Sequence, residues 1–280
     1  MKTEAEIIKQ KMEVSLSDLV TKEKTFKDFS KTFYLIGLDQ ESSDTLAQQI
    51  IEVMASPVSL EESERKARDL FKKNIVDGKP FTDRIFEKFT GRAELIYDQV
   101  QGYFGDISGK VIDYGAGDGQ VTQLLHDNLN LSTDGVDVRD FRASSTTVPI
   151  RIFDGHNVPV ADEYYEAGLM TNVAHHEKDN EKIIKELTRI IKHRLVLIET
   201  VPAGSTVEEV EADRGRTFLN DALWNRYFQN ANIPVPGTYE TPEGWISRFQ
   251  KHGWKVIESI DLGIDQPMVQ DIHHLLVLEK

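Results

Sequence analysis

The sequence predicts an α/β fold preceded by a helical region. Three observations lead there: an uneven spread of glycine and proline, a strand–helix alternation from about residue 109, and a glycine-rich turn between a strand and a helix at 111–120. Residues 1–100 hold three of the 18 glycines and two of the 9 prolines in the 280-residue chain. Sharp turns are therefore rare in the first third, and its apolar residues recur at helical spacing. Helices are expected at 4–12, 26–33, 44–55 and 59–75. Asp44 suits an N-cap, and Ser59 with Glu62 has the spacing of a capping box. Leu46, Ile50, Val53 and Met54 form one stripe. Phe26, Phe29 and Phe33 form another, which reads as plain core.

From 109 the period changes. Strands are expected at 110–113, 134–138, 148–153, 167–172 and 194–200, with helices at 121–128 and 180–192. Thr241 followed by Pro242 starts a further helix, and Gly253 closes it. Strands at 254–262 and 272–279 follow with no helix between them, as in a hairpin-like antiparallel end. Strands alternating with helices imply parallel pairing through right-handed crossovers.

Composition narrows the function. The 33 basic and 47 acidic residues give a net charge of −14. Such a surface repels phosphate backbones and anionic bilayers, so neither nucleic acid nor a membrane is an expected partner. There is no cysteine, which removes disulfides, thiolate metal sites and cysteine nucleophiles. No apolar run is long enough to span a bilayer, and MKTEAEIIKQ lacks a signal-peptide core. A cytoplasmic protein is the expectation.

The stretch Val111–Gln120 carries the chemistry. A strand runs into Gly115, Gly117 and Gly119, and a helix follows. Glycines there allow a tight turn and a ligand's approach to main-chain atoms, and the helix start supplies N–H donors. The dinucleotide fingerprint would need glycine at 120, which is Gln. The pattern is Asp-x-Gly-x-Gly-x-Gly.

This spacing resembles the first motif of class I S-adenosylmethionine-dependent methyltransferases, and the run Leu169–His176 looks like the fourth-strand motif of their small-molecule branch. Two more acids agree. Asp137 ends the second strand, where a carboxylate can accept from ribose hydroxyls, and Asp154 ends the third. The resemblance covers roughly 92–280 and implies a doubly wound, Rossmann-like, seven-stranded sheet. Residues 1–91 would be a helical lid or dimerisation region. It further implies S-adenosylmethionine along Asp113, Gly115, Ala116, Gly117, Asp137, Val138, Asp154, Gly155 and Asn172. Asp154 would take the adenine amine and Asn172 the edge of the sulfonium pocket. The fifth strand departs from the pattern, with Lys192-His-Arg194 in place of a glycine turn. TNVAHH also lacks the signature of enzymes that methylate base amino groups.

The expected activity is methyl transfer to oxygen, nitrogen or carbon of a small molecule, mostly by positioning, with no metal. His175 or His176 could deprotonate an acceptor hydroxyl, or both could cap the next helix. His176 is preferred as base because it lies further past the strand end. Glu199 could orient a substrate or bond a backbone amide. An insertion at about 201–240 offers Arg214, Asn220, Trp224, Arg226 and Tyr239 for substrate contact. Trp224 reads equally as the underside of a helix, and Arg214 and Arg216 as surface partners of Asp213 and Asp221. Rival readings are a non-methylating reaction on the same fold, aminopropyl transfer included, and an inactive partner subunit. A homodimer is compatible with all of them.

Overall fold

The computed structural model describes residues 2–88, 91–229, 233–266 and 268–280. The chain folds as two units. The first comprises residues 1–90, 201–239 and 263–272, and the second 91–200, 240–262 and 273–280. Residues 230–232 of the expected insertion lie outside the described residues.

The first unit begins with helices α1 (Glu4–Ser17), α2 (Leu19–Ile36), α3 (Gln40–Ala55) and α4 (Leu60–Lys73). Thr3 and Glu6 form a reciprocal capping box on α1. The third helix starts earlier than Asp44: Asp39 is its cap, accepting from the Ser42 N–H at 2.8 Å. Asp44 instead accepts from Gln40 on the same helix at 2.8 Å and from Ser30. Ser59 caps α4 by accepting from the Glu62 N–H at 3.2 Å. A short antiparallel hairpin, β1 (Ile75–Val76) and β2 (Lys79–Pro80), leads into α5 (Phe81–Lys88). Neither was legible, because two-residue strands have no period to detect.

The second unit opens with α6 (Arg92–Val100) and then alternates: β3 (Lys110–Tyr114), α7 (Gln120–Leu129), β4 (Ser132–Asp137), β5 (Ile150–Ile152), β6 (Tyr165–Thr171), α8 (Asn180–Ile190) and β7 (Ile191–Val201). After α9 (Val207–Ala222), which belongs to the first unit, come α10 (Pro242–Lys251), β8 (Lys255–Gly263) and β9 (Ile272–Glu279). The seven-stranded sheet has the order β5-β4-β3-β6-β7-β9-β8. β3 pairs in parallel with β4 and β6, β4 with β5, and β6 with β7. Dense branched residues make β7 a central strand buried along its length from Leu195. The chain enters at β3, steps outward through β4 and β5, and resumes on the other side with β6. That reversal opens a crevice at the carboxyl ends of β3 and β6.

The segment read as an insertion packs with the N-terminal helices. α9 continues into a π-helical turn at Leu223–Phe228. Phe218, Leu219, Leu223, Trp224, Tyr227 and Phe228 join Phe29, Phe33, Phe71 and Phe81 in one buried cluster. The Phe71 and Phe228 rings are 4.8 Å apart, and Phe33 meets Phe81 edge-on at 5.6 Å. Among the described residues, no helix is long and apolar enough to cross a membrane.

Candidate functional site

Two loops border the reversal of the sheet, one after β3 and one after β6. In the first, Gly115, Gly117 and Gly119 all have positive φ, at 81°, 55° and 76°. The N–H groups of Gly115 and Ala116 both donate to the Val136 carbonyl on the neighbouring strand, at 2.8 and 3.0 Å. A Cβ at Gly115 would lie 2.3 Å from Cγ2 of Val173, so glycine is required where the two loops touch. At Gly117 a Cβ would meet nothing within 4 Å. There the backbone faces open space.

Acids frame this turn. Asp113 is only 3% exposed. Its Oδ2 accepts from the Thr122 hydroxyl at 2.6 Å, while its Oδ1 is buried without a hydrogen bond. Burial pushes the carboxyl up to about 7, against the Thr122 bond that lowers it. Asp137 accepts from the Gly117 N–H at 2.8 Å and the Arg139 N–H at 3.2 Å, which staples the glycine turn to the end of β4. Burial also raises Asp137, partly offset by those amides. Asp154 accepts from the N–H groups of His156 and Asn157 and from the Asn157 side chain, at 2.8, 2.7 and 3.0 Å. Those bonds, the Asn157 side chain first, lower it to about 2. Beside it, a Cβ on Gly155 would lie 3.2 Å from Val138, whose side chain is 52% exposed at the end of β4. Tyr114 donates to the Gly155 carbonyl at 2.8 Å and packs edge-on against Phe153.

The second loop is held from below. Asn172 adopts φ of 55°, a conformation that asparagine tolerates better than most residues. Thr200 donates to its side-chain oxygen at 3.4 Å. Glu199, 1% exposed near the end of β7, accepts from the Val173 and Ala174 N–H groups through Oε1, at 2.9 and 2.7 Å. Its Oε2 lies 2.6 Å from Nδ1 of His175, itself 4% exposed. Glu199 thus does what the amide reading foresaw, and holds a histidine as well. His176 is partly exposed, with its ring 4.1 Å from that of His175.

The remaining candidates fall in the first unit. Asn220 is buried and donates to Asp28 and Asp271 at 2.9 and 3.1 Å. Arg226 bonds Glu64 at 2.8 Å, and Tyr239 donates to Asp221 at 2.5 Å. Trp224 meets Phe228 edge-on at 5.0 Å in the core. Arg214 pairs with Glu211 at the surface, at 3.2 Å. Arg216 is not a surface residue: it is buried against Asp213, Asp28 and Asp271. These side chains tie α2, α4, α9 and residues 263–272 into one body, because an amphipathic helix with polar groups on its buried face needs partners for them. Sequence reasoning missed Thr122, Val173 and Thr200. Thr122 had a signal, a hydroxyl in the first turn after the glycines; the other two had none.

An unpaired buried oxygen, open space over a glycine and an exposed valine beside a carboxylate turn are all present. Residues 112–198 match a family described as a methyltransferase domain. Among solved structures, the [4+2]-cyclase SpnF superposes with a TM-score of 0.51 at 13% identity, over 66% of this chain and 79% of that one. The geranyl diphosphate C-methyltransferase of Streptomyces coelicolor A3(2), in complex with Mg2+, geranyl diphosphate and S-adenosyl-L-homocysteine, gives 0.51 at 12% identity, over 71% and 82%. No curated protein sequence matches the chain.

Proposed function

We propose, for a chain that carries a methyltransferase domain of the class I S-adenosylmethionine-dependent fold and uses S-adenosylmethionine as its cofactor, that the reaction is methyl transfer to a small-molecule acceptor. The bare, buried Oδ1 of Asp113 carries this reading. It sits at the glycine turn, where a donor such as the cofactor's amino group would satisfy it. Gly115, Ala116 and Gly117 then lie along the methionine and ribose portions, and Asp137 serves the ribose. Val138, Asp154 and Gly155 border the adenine, and Asn172 the sulfonium edge. When bound, the cofactor supplies an electrophilic methyl group. The protein's part is to orient the acceptor in line and keep water away.

The acidic surface supports a small, uncharged or cationic acceptor over nucleic acid. The helical first unit enters this proposal as a lid or dimerisation region, with Asn220, Trp224, Arg226 and Tyr239 shaping that body from within and Arg214 at its surface. A non-methylating reaction is the second reading. It is favoured by one observation: a fold neighbour is named as a [4+2]-cyclase.

Calorimetry with S-adenosylhomocysteine tests the cofactor site. The wild type should bind it, and Gly117→Ala and Gly117→Val should lose affinity progressively as side-chain volume grows. A wild type that does not bind overturns the proposal, as does a valine variant with wild-type affinity.

A further inference from the structure

Glu199 accepts two backbone N–H groups and places its other carboxylate oxygen 2.6 Å from Nδ1 of His175, at a position with almost no solvent. Oε1 is committed to the backbone of 173–174, and Oε2 to Nδ1 of His175. An ionised carboxylate can only accept, so Nδ1 must carry the proton. In a neutral imidazole the lone pair then resides on Nε2. We infer that Glu199 is a positioning residue that fixes His175 with its proton on Nδ1, making Nε2 of His175 the base for an acceptor whose nucleophilic atom bears a proton.

This inference rests on the proposed methyl transfer and names its substrate class, a hydroxyl or a protonated nitrogen. For a hydroxyl the step balances as follows. The acceptor O–H proton passes to Nε2 of His175. The oxygen's electron pair forms the bond to the methyl carbon as that carbon's bond to sulfur breaks, the pair staying on sulfur. The imidazolium, stabilised by Glu199 at Nδ1, later returns the proton to water.

Glu199→Gln is the test, because it keeps the shape and reverses one bond. The glutamine oxygen stays with the two amides, since its NH2 cannot face them. The NH2 must then face Nδ1 of His175, which becomes an acceptor and sends the proton to Nε2. Nitrogen-15 NMR of the full chain should show His175 protonated on Nδ1 in the wild type and on Nε2 in the variant. Transfer of labelled methyl from S-adenosylmethionine into the small-molecule fraction of a cell extract should fall by about a hundredfold or more. Affinity for S-adenosylhomocysteine should change by less than about threefold. His175→Asn is the companion: its amide still donates to Glu199 while Nε2 is gone, and it should lose transfer to the same extent at unchanged affinity. A wild-type His175 protonated on Nε2 overturns the inference. So does either variant transferring at the wild-type rate. Loss of S-adenosylhomocysteine binding by the wild type overturns the proposed function instead, and is read separately from the tautomer.

Discussion

Asp113 is a carboxyl with one oxygen bonded to Thr122 and one bare. Its folded pKa of about 7 exceeds the ordinary aspartate value because burial disfavours the charge. The native chain therefore holds a proton that the unfolded chain has released between about pH 4 and pH 7. Stability of the ligand-free protein should fall as pH rises through that window. Asp113→Asn, neutral at every pH, should melt above the wild type at pH 8 and near it at pH 4. Parallel melting curves across that range would count against the assignment. The same variant should bind S-adenosylhomocysteine more weakly, having lost the negative partner for an ammonium. Asp137→Ala leaves the Gly117 and Arg139 amides without their acceptor. Hydrogen bonds to charged groups contribute about 1.5–3 kcal/mol, so calorimetry should show affinity falling about tenfold or more.

At the level of elements, the glycine turn and the β6 loop are locked by shape. Gly115 has no room for a Cβ because Val173 occupies it. Gly115→Ala should lower the melting temperature through both the clash and the left-handed backbone. Val173→Ala removes the clashing methyls, so the double variant should be more stable than the two single losses predict. Thermal melts of the four proteins decide this, and strict additivity would show that the loops do not touch. Much of this region was legible. The Asp-x-Gly-x-Gly-x-Gly spacing announced a turn with positive φ, and the acids at 137 and 154 marked strand ends. The fate of α9 was not legible. Asn220 near its end shares a helical stripe with Trp224 and Phe228 of the π-helical turn, and Arg226 lies in that turn, but the partners that absorb Asn220 and Arg226, Asp28 and Glu64, lie on other helices. Periodicity shows that a face is buried and never says against what. The edge of α3 failed for a smaller reason: Asp39 and Asp44 are both good caps, and only the Ser42 bond distinguishes them.

For the whole molecule, the first unit is assembled from three stretches of chain that share one core. Phe29, Phe33, Phe71 and Phe81 come from the first stretch, and Leu219, Leu223, Tyr227 and Phe228 from the second. Deleting residues 1–90 should therefore leave a large apolar face on the second stretch, not a trimmed enzyme. The truncated protein should bind a hydrophobic dye strongly or precipitate. A soluble, dye-silent product that still binds S-adenosylhomocysteine would show that residues 201–239 can fold without the helices.

The interleaving also sets a timetable during synthesis. When the ribosome has added residue 262, neither body can be finished. The helical one still lacks 263–272, including the Gln270 carbonyl and Asp271 that close around Arg216. The sheet lacks β9, which belongs between β7 and β8. Its gap is two strand spacings wide, about 9–10 Å, and is filled only by the stretch made after β8. Nascent chains arrested just short of 272 should be cut readily by protease in both bodies, and chains arrested a full exit tunnel beyond 280 in neither. The two halves of this protein would then mature together, as a late and nearly simultaneous event.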